Sequence, residues 1–242
     1  MKLFAINPEI SLDELSLINE IGNIENGNGI IKSIAHAMII TEKWVKNTLG
    51  KPHPKLGRRG PVCPYVPRAS AEGRIYLSYC TYDGQTTVDD ICEQMLLFHQ
   101  NFMENNDSFL NSIVIPFVSA HADQEKGTSL VEEAQKKLKP KFIENNAMIG
   151  QFFPKCPVAG LHSEEFRPFE FQIPCLAIRN LMPQDVVFVS DSSIHSQKYL
   201  EHFKVKSRNS LVALLRENGV GRNRNVISHV DHIFNLRKVN GI

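Results

Sequence analysis

The sequence predicts an α+β fold: a single domain built on a mixed, largely antiparallel sheet flanked by helices, with a C-terminal helical appendage. Three observations predict it. From Arg74 onward, strand-like and helix-like segments follow one another as β-α-β-α-β-β-β-α. The last three strand-like segments lie too close together for crossover helices, which favours antiparallel pairing. The 242 residues suffice for one domain of generous size with appendages. The organisation expected is an N-terminal arm over 1–30, an α+β core over 31–205 and a helical extension over 206–242.

The arm is rich in Asn, Glu and Gly around Gly22 to Gly29, a composition that favours turns. From Ile31, apolar residues Ile34, Ala35, Met38, Trp44 and Val45 recur at helical spacing up to Leu49, where Gly50 and Pro52 stop the helix. Arg74 to Tyr82 is aromatic and β-favouring between Gly73 and Asp83-Gly84, and reads as a strand. Thr87 then caps a helix whose apolar face is Val88, Ile91, Cys92, Met95, Leu96, His99, Phe102 and Met103, ending near Asn105-Asn106. Ser112 to Val118 is a continuous apolar strand, and Pro116 within it points to an edge or a bulge. A charged helix follows from about Ser129 to Leu138. Ala147 to Phe153, Pro174 to Arg179 and Val186 to Val189 read as strands, and Ser192 to Phe203 as a helix. Two further helices, about Ser210 to Glu217 and Val226 to Leu236, flank a turn at Gly219 to Arg224.

Bulk properties exclude several classes. With 27 Lys and Arg against 26 Asp and Glu, the charge is too balanced to mark a nucleic-acid partner, since phosphate binding relies on clustered positive charge. The apolar runs fall far short of the roughly 20 residues needed to cross a bilayer, so no membrane association is expected. Met1 to Pro8 lacks a signal-type apolar region, and a cytoplasmic location is expected. Five cysteines (Cys63, Cys80, Cys92, Cys156, Cys175) without any C-x-x-C point to reduced thiols.

Two proline-rich, arginine-bearing segments stand out, Gly57 to Arg68 and Gly150 to Pro157 running on to Phe169; each contains a Cys-Pro dipeptide. Proline presets extended, non-helical backbone at the preceding residue, so Cys63 and Cys156 are presented from rigid loops. Such a thiolate can act as a haem axial ligand or a nucleophile, and Arg58, Arg59 or Arg68 can pair with propionates or lower a thiol pKa. Both cysteines are equally read as small buried hydrophobes in a proline-rich turn. His162, His99 and His121 are candidate imidazole partners. His229-x-x-His232 has the spacing of a metal pair or of a solvated helix face. Gly57-x-x-Gly60 and Gly219-x-Gly221 lack the residues of a phosphate cradle and read as turns. Arg167 and Arg179 can clamp a substrate carboxylate by bidentate hydrogen bonds, or pair with Glu164, Glu165 or Glu170.

At these motifs the chain resembles a bacterial family carried as a domain of unknown function and often associated with biosynthetic gene clusters. Its members show G-R-x-G-P-V-C-P-F-V, G-E-F-H-P, G-L-H-N and F-R-P-L-R-S-P-V-P-L-L-A-I-R blocks. They correspond here to Gly57 to Val66, Gly150 to Pro154, Gly160 to Ser163, and Phe166 to Arg179. The resemblance spans roughly residues 50 to 205. Phe153 and Gln151 stand where the family pattern has histidine and glutamate, at positions assigned with Arg167 and Arg179 to substrate binding. More distantly the layout is similar to the YqcI/YcgG type, which implies a haem-dependent oxygenase-like enzyme of specialised metabolism. Its substrate would be a small amine, amino acid or carrier-bound acyl group. Haem would be held by His162 or Cys63 as axial ligand with Arg58 and Arg59 on its propionates, and Cys63 and Cys156 are the catalytic candidates. A non-catalytic small-molecule binding or accessory protein, and a thiol-dependent transferase or hydrolase, are the alternatives. The expected partner is a small molecule, and a homodimer is compatible with it.

Overall fold

The computed structural model describes residues 10–11, 29–104, 108–119, 123–220 and 224–239. Apart from Ile10–Ser11 and the first residues of the opening helix, the expected arm lies outside the described residues, as does His121. The chain divides into two compact units: unit 1 comprises 1–138 and 149–179, and unit 2 comprises 139–148 and 180–242.

Unit 1 is organised by a mixed sheet. Among the described residues six strands are joined: β1 (Ile10–Ser11), β2 (Ile75–Leu77), β3 (Cys80–Thr81), β4 (Ser112–Val118), β5 (Ala147–Phe152) and β6 (Cys175–Asn180). The order is β1-β2-β4-β6-β5, with β3 also on β4. β1 pairs antiparallel with β2 through Ile10 opposite Leu77, and β6 pairs antiparallel with β4 through Arg179 opposite Ser112. β2 and β3 run parallel to β4. The α+β class with a mixed sheet and flanking helices therefore holds.

β4 is buried along its whole length and lies in the interior of the sheet, which corrects the edge or bulge expected from Pro116. The register explains how proline is tolerated there. The N–H groups of Ser112 and Phe117 point to opposite sides, to Arg74 O of the β2 side at 2.9 Å and to Pro174 O of the β6 side at 2.8 Å. By alternation, the position of Pro116 faces the β2 side, at the place where the expected Arg74 to Tyr82 strand breaks into β2 and β3 around Ser78-Tyr79. The missing donor falls where the ladder is interrupted.

Helices cover this sheet. α1 (Gly29–Trp44) continues into a π-helical turn over Val45–Leu49. α2 (Val66–Ala71) starts with Pro67 in its first turn. α3 (Val88–Phe98) begins at the expected Thr87, which closes a capping box: its hydroxyl accepts from Asp90 N at 3.2 Å and its own N–H donates to the Asp90 carboxylate at 2.9 Å. α4 (Gln124–Glu144) is longer than the expected 129–138, because the Asp123 carboxylate accepts the Lys126 N–H at 3.1 Å and starts the helix early. Ile75, Leu77, Ile91, Met95, Ile113, Ile115, Val131 and Leu176 are buried in the core of this unit.

Unit 2 is helical. The run Val186–Val189, read from sequence as a strand, is instead the short helix α5. Pro183 opens a 3-10 turn whose Asp185 carboxylate accepts the Met182 N–H at 2.8 Å, and the turn runs directly into α5. An all-apolar run of four residues carries no periodicity to separate the two readings. α6 (Ser193–His202), α7 (Arg208–Glu217) and α8 (Arg224–Val239) follow, close to their expected positions. Ser192 caps α6 and Ser207 caps α7 through their hydroxyls. Tyr199, Leu211, Leu215, Val230 and Ile233 form the centre of a separate apolar core. No helix among the described residues is long and apolar enough to cross a membrane.

Candidate functional site

A groove of about 750 Å³ opens on unit 1, between the end of α1 and the loop joining β5 to β6. Such a volume lies within the ordinary range for small-molecule sites. α1 contributes Ile40, Lys43 and Trp44, at i, i+3 and i+4 of one helix face. The π turn that continues it supplies Asn47 and Thr48; such turns are rare and recur at functional sites.

Aromatic rings form the floor. Trp44 stacks on Phe171 with centroids 4.2 Å apart and meets Phe152 edge-on at 4.9 Å. Phe152 in turn leans on Phe169 at 5.8 Å. Nearby, the His53 imidazole stacks on Phe166 at 4.6 Å. The β5–β6 loop is held in place by its own backbone: Phe153 N donates to Phe169 O at 3.2 Å, Phe171 N to Phe153 O at 3.2 Å, and Gly160 N to Phe166 O at 2.8 Å. Lys155 adopts a left-handed conformation with φ of 57°, uncommon for a long side chain, and sits on the rim.

The rim is charged. Lys43, Lys155 and Arg167 line it against the single carboxylate of Glu170. Among the described residues no ion pair takes up Lys43 or Lys155. Arg167 spends part of its guanidinium on the loop, donating to Glu164 O and, at 3.3 Å, to Phe166 O.

The two Cys-Pro segments meet, though not through their cysteines. Gly57, with φ of 74°, runs so close to the backbone of His162 that a Cβ there would collide with the His162 carbonyl. Val62 N donates to Lys51 O at 2.9 Å and Cys63 N to Leu49 O at 2.9 Å, which ties the first segment to the end of the α1 region. Arg58 folds onto its own loop, donating to Arg59 O and Val62 O at 3.0 Å each. Partial burial lowers its pKa, with the Cys63 thiol acting in the opposite sense. Arg59 is exposed. The half-buried His162 is held below its ordinary value by burial and, secondly, by the Arg58 guanidinium. Neither His162 nor Cys63 lines the groove.

The other expected site residues are dispersed. Cys156 is buried, its N–H donates to Phe153 O at 3.3 Å, and burial pushes its thiol up, so it is placed as a packed apolar residue. Cys63 is the half-exposed cysteine; Cys80, Cys92 and Cys175 are buried. Phe153 is buried beneath the loop. Gln151 leaves its Oε1 buried without a hydrogen-bond partner. Arg179 lies on β6 with its guanidinium over the Tyr65 ring at 5.7 Å and is not part of the lining. Of the residues named from the sequence for chemistry, the groove retains Arg167. Lys43, His53 and Lys155 were missed. The helical face around the chain's one tryptophan was the available signal for Lys43, whereas His53 and Lys155 are isolated loop residues without one.

No group of three or more His, Cys, Asp or Glu side chains among the described residues is placed to hold a metal ion. Haem needs an axial donor at the groove. His53 is the imidazole of the lining, but its Nδ1 accepts the Lys55 N–H at 3.2 Å, which leaves the proton of the neutral ring on Nε2, the atom that would have to bind iron. The donor set of the groove therefore does not fit an axial site.

Comparison with known proteins adds the family. Neither the curated proteins nor the solved structures yield a match, and nothing found connects the chain to the YqcI/YcgG type. Residues 38–213 match the family model described as a domain of unknown function, DUF6875. That span contains every residue lining the groove and well over half of the chain, and the protein belongs to this family.

Proposed function

We propose that the groove of unit 1 binds a small amphipathic molecule, with a flat apolar body against the aromatic floor and an anionic head on the lysine rim. One observation carries the reading: an aromatic floor built around Trp44 and Phe171 sits beside Lys43 and Lys155, neither engaged in an ion pair among the described residues. Aromatic faces supply apolar contact area in stacked or edge-on geometry, and unpaired ammonium groups fix the orientation of a carboxylate. This is the binding or accessory reading of the sequence. The haem-dependent oxygenase reading lacks an axial donor in the lining, and the thiol-dependent reading has no cysteine there.

The chain holds a single tryptophan, so intrinsic emission excited at the indole reports the groove directly. Titration with naphthalene-1-carboxylate is expected to change Trp44 emission saturably. Naphthalene-1-carboxamide should bind more weakly, and Lys155→Glu should weaken the carboxylate by about tenfold, equivalent to about 1.4 kcal/mol. Equal affinity for acid and amide, or no saturable response from naphthalene-1-carboxylate, decanoate or 8-anilinonaphthalene-1-sulfonate, would overturn the proposal. Hemin belongs in the same series, since a stoichiometric Soret band lost in His162→Ala or Cys63→Ala would return the haem reading in its place.

A further inference from the structure

We propose that unit 2 carries an acid-released latch, in which the Ser190–His229 hydrogen bond joins α5 to α8 and the His195 ring packs with a bare, buried nitrogen on α6 while both imidazoles are neutral, and proton uptake loosens the helices. The latch is independent of the groove and uses side chains that no binding role has absorbed.

Its geometry joins three elements. Ser190 ends α5 and is 3% exposed, and its Oγ lies 2.6 Å from Nδ1 of His229 on α8. His195, in the first turn of α6, presents a buried Nδ1 with no hydrogen-bond partner. Protonation would place a charged N–H at that atom without an acceptor, which costs far more than leaving a neutral ring nitrogen there. At His229 the Oγ–Nδ1 contact accepts either direction of donation while the ring is neutral; the imidazolium leaves Nδ1 as a donor alone, so the Ser190 hydroxyl can then no longer give its proton to the ring.

Among the described residues, charged groups reach the two rings from several elements. Asp191 faces both rings, but it is exposed and shared with Lys139 of α4 at 3.8 Å. His195 also meets Lys139 and Glu144 of α4, and His229 meets His232 of its own helix. α7 brings Arg208, committed to Asp231 at 2.6 Å, and on α6 Lys198 pairs with Glu201 at 3.3 Å. Burial is the largest influence at both rings and lowers both; Lys139 adds to it at His195 and His232 at His229, while Asp191 opposes at both and Glu144 at His195. Because the closed form holds protons less tightly than an open one, its stability is complete above the ordinary histidine value of about 6.5 and declines as pH falls from there through the folded values.

Amide hydrogen exchange of the full chain, compared at pH 7.5 and 5.5 after correction for intrinsic rates, reads the latch. Protection over 193–202 and 224–239 is expected to fall on acidification by up to about tenfold per pH unit for each proton taken up. The double variant His195→Asn with His229→Asn should keep most of its protection at pH 5.5. His202, also lowered by burial and edge-on to Phe203, remains in it as a background titration. Protection unchanged by pH in the wild type, or lost equally in the double variant, would refute the latch. Should the variant not fold, an NMR titration of the wild-type rings decides: His195 or His229 titrating at or above about 6.5 would refute it as well.

Discussion

The two units put their polar side chains to different use. Both bury a hydrogen-bonded tyrosine, Tyr65 on Leu110 O in unit 1 and Tyr199 on Pro183 O at 2.6 Å in unit 2. Unit 1 adds charged groups along a loop: Lys43 and Lys155 stand on a groove rim, and Arg58 and Arg167 are turned back to brace loop carbonyls. Unit 2 adds a neutral contact between helices, with Ser190 Oγ 2.6 Å from Nδ1 of the half-exposed His229. Closely packed helices satisfy their backbone internally, whereas a sheet with a long connecting loop exposes backbone that side chains must brace. A ligand is to be sought on the first unit and a pH response in the second.

The sharpest way to break the contrast is through the groove floor. Phe171→Ala removes a buried ring stacked on Trp44 and is expected to cost about 3–5 kcal/mol, with a shift in Trp44 emission, both measured in one denaturant titration followed by fluorescence. Next comes a pair of glycines with nearly the same backbone. Gly57 and Gly219 have φ of 74° and 79°, but a side chain at Gly57 strikes His162 whereas Gly219 has open space around it. Gly219→Ala should cost about 1 kcal/mol for the left-handed conformation alone, and Gly57→Ala about 2–4 kcal/mol with weakened ligand binding. Equal costs would mean that the close approach of the two loops is not needed. Tyr199→Phe, which leaves Pro183 O without its donor in unit 2, should cost about 1–2 kcal/mol. The smallest effect belongs to Thr87→Ala, about 1 kcal/mol from the lost capping box on α3. Thermal unfolding checks both.

How much of this was legible in the sequence divides along physical lines. Local signals carried the helices: Thr87, the proline and glycine stops after Leu49, and Ser192 at the start of its helix lie within a few residues of what they determine, while the cap at Ser207 lies just ahead of the start expected near Ser210. Pro116 misled because its tolerance depends on a break in the neighbouring strand, at Ser78-Tyr79, which is visible only once the strands are paired. Val186–Val189 misled because four apolar residues fit either period. For the site, the two proline loops singled out from the sequence do meet, at Gly57 and His162. Yet their cysteines are not the chemistry of the groove, and the rings of Trp44, Phe171 and Phe166 converge from positions up to 127 residues apart in the chain. No spacing rule reaches that far.

The path of the chain through its two units sets an order on synthesis. Residues 139–148 belong to the second unit, but they emerge from the ribosome before 149–179 complete the first and well before 180–242 supply their remaining partners. Ile143 and Met148, members of the helical core, must therefore wait uncovered while β6 is being made. A nascent chain whose residue 179 has just left the ribosomal tunnel would display that apolar stretch to any chaperone present.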